Sequence, residues 1–248
     1  MIRLDSVHKQ YGDQKVLDGM SLEIQDGSVT TIIGRSGGGK SVLMRHMIGL
    51  ERPDSGAIYV DGQNIVNMKG LELNRMRRRF GVLFQEAALF DSLSVKDNVA
   101  FPLREHLKVS ETRIAEIVEA KLAEVGMGQH KNKFPGELSG GMKKRVGLAR
   151  ALALDPDVVF FDEPTSGLDP ITKGVIFRLI AATHRERMNT YVLVSHDIQG
   201  VLRISDEVMM LFNGKISTKG SPEEILNSSD AVIRQFITGS ADGPITMD

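Results

Sequence analysis

Eight consecutive residues, Gly34-Arg35-Ser36-Gly37-Gly38-Gly39-Lys40-Ser41, fit the spacing G-x-x-x-x-G-K-[ST] without mismatch. Each residue type answers a need of phosphate binding. Glycines let the backbone come close and turn successive N–H groups toward one anion. Lys40 is placed to contact the β- and γ-phosphates of a triphosphate, and Ser41 offers a hydroxyl to Mg²⁺. The apolar run Val29-Thr30-Thr31-Ile32-Ile33 leads into the motif and a helical stretch, Ser41 to Leu50, leaves it. The loop therefore ends on a helix N-terminus, which favours negative charge. A plain glycine-rich turn would not call for this full pattern in this context.

A second constellation is Asp162-Glu163, directly after the apolar run Val158-Val159-Phe160-Phe161. The first carboxylate can support Mg²⁺ through a bound water, and the second can polarise an attacking water as general base. Alone, the pair could be two acids opening a turn before Pro164; beside a phosphate loop it reads as catalytic. A third is Leu138-Ser139-Gly140-Gly141-Met142. Ser139 can cap a helix there, and the two glycines leave backbone N–H groups uncovered, one turn before Lys143, Lys144 and Arg145. That makes a second anion site, although Ser-Gly-Gly alone is more often a loop and cap. His196 follows the apolar run Tyr191-Val192-Leu193-Val194 and Ser195, a good position for a reacting group. His8, His46, His106, His130 and His184 have no such context and read as surface or structural residues.

These groups need elements to hold them. Short, β-branched apolar runs, each ending in polar residues, suit strands of a parallel sheet covered on both faces. Ligands then collect at the strand C-terminal ends. Ile171 to Arg187 reads as a helix starting at Pro170. Residues Ile2 to Ile24 and Ala57 to Val60 look like antiparallel strands, with a turn at Tyr11-Gly12-Asp13. The stretch from Ala87 to Leu154 is mostly helical, with an apolar stripe at Ile114, Ile117, Val118 and Leu122 after Ser110. The expectation is an α/β core, about 1–86 and 155–238, with a mainly parallel sheet, an N-terminal antiparallel β subdomain, an inserted helical subdomain at about 87–154, and a tail at 239–248. The run Arg75-Met76-Arg77-Arg78-Arg79 reads as the solvated face of a short helix before strand Phe80 to Phe84, not a nucleic-acid patch.

Composition narrows the field. The 248 residues include no cysteine, which excludes disulfides, zinc thiolate sites, iron–sulfur clusters and thiol nucleophiles. A net charge of −1 gives no global basic field for nucleic acid or an anionic membrane. No apolar run reaches the ~20 residues that span a bilayer, and Met1-Ile2-Arg3-Leu4-Asp5 lacks the core of a signal peptide. A cytoplasmic protein is expected, with any membrane role exercised through a partner.

The order of phosphate loop, Gln85, Leu138 to Met142, Asp162-Glu163, Ser166-Gly167-Leu168-Asp169 and His196 resembles the ATP-binding cassette (ABC) ATPases, over nearly the whole chain. The resemblance implies ATP and Mg²⁺ as cofactors. It implies Tyr11 stacked on adenine, the loop Gly34 to Ser41 with Val42 on the phosphates, and Gln85 sensing Mg²⁺ and the attacking water. It also implies Ser139, Gly140 and Gly141 gripping the γ-phosphate held by a second copy, Asp169 in a loop crossing the dimer, and Glu163 and His196 in catalysis. Ser41, Gln85 and Asp162 would serve the metal.

The segment Leu89 to His106, Met142 where most relatives have Gln, and Ser240-Ala241-Asp242-Gly243-Pro244 are similar to the ATPases of Mla (maintenance of lipid asymmetry) systems, the MCE-type phospholipid transporters. That similarity implies a homodimer beneath a permease dimer, with a periplasmic MCE lipid-binding protein and a small STAS-domain subunit as partners. It places the chain on the cytoplasmic face of a bacterial inner membrane, driving phospholipid between inner and outer membranes. The alternatives are an ABC ATPase for another solute and a non-transport ABC ATPase. The spacing of about a hundred residues between the phosphate loop and Ser139, with no long coiled coil, argues against the DNA-acting members.

Overall fold

A computed structural model describes residues 1–245; the last part of the expected tail, 246–248, lies outside the described residues. The chain divides into two compact units, Met1–Asn74 with Val192–Asp248, and Arg75–Tyr191.

In the first unit, β1 (Ile2–Tyr11), β2 (Gln14–Ile24), β4 (Ser55–Val60) and the short β5 (Gln63–Asn64) form an antiparallel sheet in the order β2-β1-β4-β5. Tyr11 faces Gln14 across the expected turn at Gly12-Asp13. A second sheet holds β3 (Val29–Ile33), which runs parallel to β9 (Glu207–Phe212), while β10 (Lys215–Gly220) pairs antiparallel with β9. All five residues of β3 are buried, so no polar face dilutes its apolar run. The Asp206 carboxylate accepts from the Val29 N–H at 2.7 Å and its own N–H donates to the Val29 carbonyl at 2.8 Å, which fixes where β3 begins. Helix α1 (Lys40–Met47) follows the loop and stops three residues earlier than the sequence pattern predicts, because Gly49 turns left-handed at φ 68°.

In the second unit, α2 (Gly70–Arg77), whose first turns belong to the first unit, leads into β6 (Phe80–Leu83), parallel to β7 (Val158–Asp162) with Phe80 beside Val158 and Leu83 beside Phe161. Between these strands lie α3 (Val95–His106), α4 (Glu111–Glu124), two single 3₁₀ turns and α5 (Gly140–Ala151), with no strand among the described residues. After β7 comes α6 (Pro170–Arg187). The caps follow the sequence: Ser94, Ser110 and Ser139 each accept an N–H with the side-chain oxygen, and Asp169 accepts two before Pro170. The arginine run is the solvated face the sequence predicts, with Arg75 and Arg78 exposed, Arg77 and Arg79 half-buried and only Met76 turned inward. Arg79 pairs with Asp157 at 2.5 Å, just before β7, and Arg78 donates to the His106 carbonyl at 3.1 Å. The run therefore ties elements together.

The chain passes back into the first unit within β8 (Thr190–Ser195) and continues through the single turn α7 (Ile198–Val201), then β9, β10, α8 (Pro222–Leu226) and α9 (Ala231–Thr238). The described residues of the expected tail fold back on α9. The buried amide of Gln235 accepts from the Ile245 N–H at 2.7 Å and donates to the carbonyls of Ile245 at 2.9 Å and Ser240 at 3.3 Å.

Candidate functional site

The chemistry-bearing residues fall in both units. In the first, buried β3 delivers the chain to Gly34, and the loop runs to Gly39, which precedes α1 with φ 96°. A side chain at Gly39 would be strained there and would also meet Val16 Cγ1 at 2.8 Å. At Gly34 a Cβ would lie 2.6 Å from the Leu211 carbonyl oxygen, so only glycine permits this close passage by β9. The Gly38 N–H donates to the Arg35 carbonyl at 3.1 Å, closing the loop into a turn. Ser36 and Gly37 are exposed at its tip. Lys40 is buried, and its Nζ donates to the carbonyls of Gly34 at 2.9 Å and Arg35 at 3.0 Å. The ammonium thus lies within the curve of the loop. The first turn of α1 carries no acid, so nothing on the helix neutralises the positive end of its dipole. Ser41 and Val42, half-buried, follow Lys40 in that turn. This is an anion cradle.

Two more expected residues lie in the same unit. Tyr11 ends β1 with 41% of its surface exposed, its hydroxyl donating to Glu51 and the Lys9 ammonium 5.2 Å from the ring centroid. Burial, then the Glu51 carboxylate, pushes its phenol up, so the ring is held neutral and anchored at its edge while a face stays open. His196 is exposed directly after buried β8. Asp197 caps α7 by accepting from the Gly200 N–H at 3.1 Å, which fixes the turn that carries His196.

In the second unit, Asp162 is the last residue of β7 and Glu163 the first beyond it; both are nearly buried. Glu163 adopts φ 48°, the left-handed region. Its carbonyl accepts from the Ser166 N–H at 3.1 Å and from the Lys144 ammonium at 3.2 Å. Gln85 follows β6, and its amide donates to the Ser166 hydroxyl at 3.3 Å, so the structure brings Gln85 together with the Ser166–Asp169 segment. Ser139 and Gly140 are exposed at the start of α5. Gly141 is buried, and a Cβ there would lie 2.6 Å from Thr172 Cγ2, so this glycine is also required by the packing of α5 against the start of α6. The Asp169 carboxylate caps α6, accepting from the N–H groups of Ile171 and Thr172 at 3.0 Å and the Thr172 hydroxyl at 2.5 Å. The Thr172 hydroxyl above all holds it below the usual carboxylate range.

Lys144, grouped by sequence with the basic residues beside a second anion site, turns inward instead. It is buried and donates to the carbonyls of Gln85 and Glu163. It lies on a largely buried helix, with Gly141, Val146, Gly147 and Leu148 also buried. Arg150, six residues on, was not singled out by sequence reasoning. Its guanidinium donates to the carbonyls of Ala88 at 2.7 Å and Ala87 at 2.6 Å. The available signal was a basic residue on an otherwise apolar helix face.

The hard oxygen donors among the expected residues, the Ser41 hydroxyl, Asp162 carboxylate and Gln85 amide, suit Mg²⁺. No group of three or more His, Cys, Asp or Glu poised for a metal occurs among the described residues.

The β3–loop–α1 cradle of the first unit is that of a nucleoside-triphosphate-binding protein. A dimeric ATP-binding cassette solved in a post-hydrolysis state with ADP and Pi is similar, with a TM-score of 0.82 and 30% identity over 90% of this chain and 99% of that one. The ABC transporter family model matches residues 17–166. The chain belongs to the ABC transporter ATPase family. It is 44% identical over 246 residues to a probable ribonucleotide transport ATP-binding protein of Mycobacterium tuberculosis, covering 99% of this chain and 68% of that protein. It is 42% identical over 245 residues to the intermembrane phospholipid transport system ATP-binding protein of Haemophilus influenzae, covering 99% and 93%. Among the described residues no helix is long and apolar enough to cross a membrane.

Proposed function

We propose that the chain is the ATP-hydrolysing subunit of an Mla/MCE-type transporter, working as a homodimer on the cytoplasmic face of a bacterial inner membrane. There it drives phospholipid movement between inner and outer membranes. The observation that carries the cargo is the end-to-end kinship with the Haemophilus protein, 93% of which is covered. ATP hydrolysis is supported by the chain's own residues. The cradle around Lys40 binds and orients the phosphates, with Tyr11 offering a ring face to adenine. Ser41, Gln85 and Asp162 would hold Mg²⁺, which when bound neutralises charge developing on the transferred phosphoryl group. Glu163 accepts a proton from the attacking water, and Gln85 and His196 orient that water and the γ-phosphate. Ser139, Gly140 and Gly141 of the opposite copy close over the nucleotide, and Asp169 fixes the crossing segment.

The partners proposed are a permease dimer, a periplasmic MCE lipid-binding protein and a small STAS-domain subunit. The permease contact is supported by a groove of about 480 Å³ in the second unit, beside Gln85 in sequence, lined by Phe84, Ala88, Phe90, Phe101, Pro102 and Arg150. Its two exposed rings, Phe90 and Phe101, lie 4.7 Å apart between centroids. The mycobacterial relative's name supports a second reading, transport of another solute. The deciding experiment isolates the chain with its native permease, identifies co-purifying lipid and reconstitutes the complex in vesicles. ATP-dependent phospholipid transfer is expected. A permease that carries a water-soluble solute and moves no lipid would overturn the phospholipid reading.

A further inference from the structure

We infer that Lys144 is a positioning residue for hydrolysis, joining the Gln85 loop to the backbone of Glu163; this rests on the ATPase reading above. Three observations within the second unit carry it. First, the Lys144 ammonium, 5% exposed, reaches from α5 to two carbonyls far apart in sequence, those of Gln85 and Glu163. An ammonium has three donors and no acceptor, so it can bridge two carbonyls that could not bond each other. Second, the backbone at or near both ends of the bridge is unusual. Glu163 is left-handed at φ 48°, and just beyond Gln85 both Ala87 and Ala88 are left-handed, at 59° and 46°. Non-glycine residues keep such conformations only where surrounding contacts impose them. Arg150 supplies such contacts at Ala87 and Ala88, and Lys144 supplies one at Glu163. Third, α5 approaches closely. A Cβ at Gly147 would meet Leu83 Cδ1 at 2.6 Å and Ala87 Cβ at 3.1 Å, so the two basic residues work against a nearly rigid contact.

A lysine here is costly as packing. Burial pushes its ammonium down from the ordinary value, and Glu86, Asp162 and Glu163 offset this only in part. A side chain serving packing alone would be apolar. The Lys144 bridge makes the positions of Gln85 and Glu163 interdependent: a displacement of the Gln85 loop is transmitted through one ammonium to the peptide that carries the general base. Lys144 acts through those two carbonyls.

The test uses Lys144→Gln and Lys144→Arg in the full chain, with Glu163→Gln as the inactive reference. Gln keeps a donor but loses the charge and the reach to both carbonyls, whereas Arg can span them. For Lys144→Gln, kcat is expected to fall roughly 10- to 100-fold, the consequence of losing charge-assisted bonds. Its KM for ATP should stay near wild type, its melting temperature should fall only modestly, and amide exchange at 85–88 should quicken. Lys144→Arg should recover most of kcat. A Gln variant with wild-type kcat, or unchanged exchange at 85–88, would overturn the inference, as would kcat losses that track melting temperature equally in both variants. A wild-type chain without ATPase activity would instead sink the ATPase reading itself, and the inference with it.

Discussion

Glu163 is placed in the left-handed region immediately after a strand whose residues are all buried. A non-glycine residue in that region costs on the order of 1–3 kcal/mol. The Ser166 N–H and the Lys144 ammonium, both on the Glu163 carbonyl, offset that cost and fix the peptide while the side chain stays available. Glu163→Gln preserves size and backbone demands but removes the base. Hydrolysis should fall by about 100-fold or more, with ATP affinity retained in equilibrium binding. A variant that turned over ATP at the wild-type rate would remove Glu163 from the role of base. The same residue scale explains what sequence could reveal. Asp162 and Glu163 were legible because an apolar run ended in acids. Lys144 was not, because one lysine among Lys143, Lys144 and Arg145 carries no mark of which way α5 turns it. The left-handed Ala87 and Ala88 were equally invisible, since alanine carries no signal for that conformation.

Among the elements, β3, β7 and β8 were read almost to the residue because each is short, β-branched or aromatic, and buried on both faces. Helix α4 was read from its stripe and its Ser110 cap, but not what its polar face grips. The buried Lys121 of α4 reaches Asp155 at 2.5 Å, Arg187 at the end of α6 reaches Asp155 at 2.7 Å, and Arg187 also reaches Glu124 at 2.6 Å. These residues join α4, the turn before β7 and the end of α6. Burial works to raise the Asp155 carboxyl, but Lys121 and Arg187 outweigh it and hold it below its ordinary value. A carboxyl depressed on folding contributes stability that is present above the unfolded pKa and lost as pH falls through the folded value. Melting temperature should therefore drop on acidification below about pH 4, and Lys121→Met should make that drop shallower. Parallel melting curves for the two proteins across that range would mean the network contributes nothing.

At the scale of the whole molecule, each chain carries one cradle around Lys40 and one glycine pair after Ser139, proposed to serve different nucleotides in a homodimer. Complementation tests this directly. Ser139→Arg and Lys40→Ala should each abolish hydrolysis alone. Mixed together, they can form a dimer in which the intact Lys40 of one chain meets the intact Ser139 of the other, so partial activity should return. Mixing that restores nothing, with mixed dimers present by native mass, would exclude a shared site. The open face of Tyr11 has a further use. The chain contains no tryptophan and three tyrosines, of which Tyr191 is fully buried and Tyr11 is 41% exposed. Tyr11→Trp would thus install the sole indole fluorophore of the protein at the end of β1. Its emission should be quenched as adenine stacks on it, giving an optical titration of occupancy against a dark background. Emission indifferent to saturating ATP, while calorimetry still records binding, would take adenine off that ring.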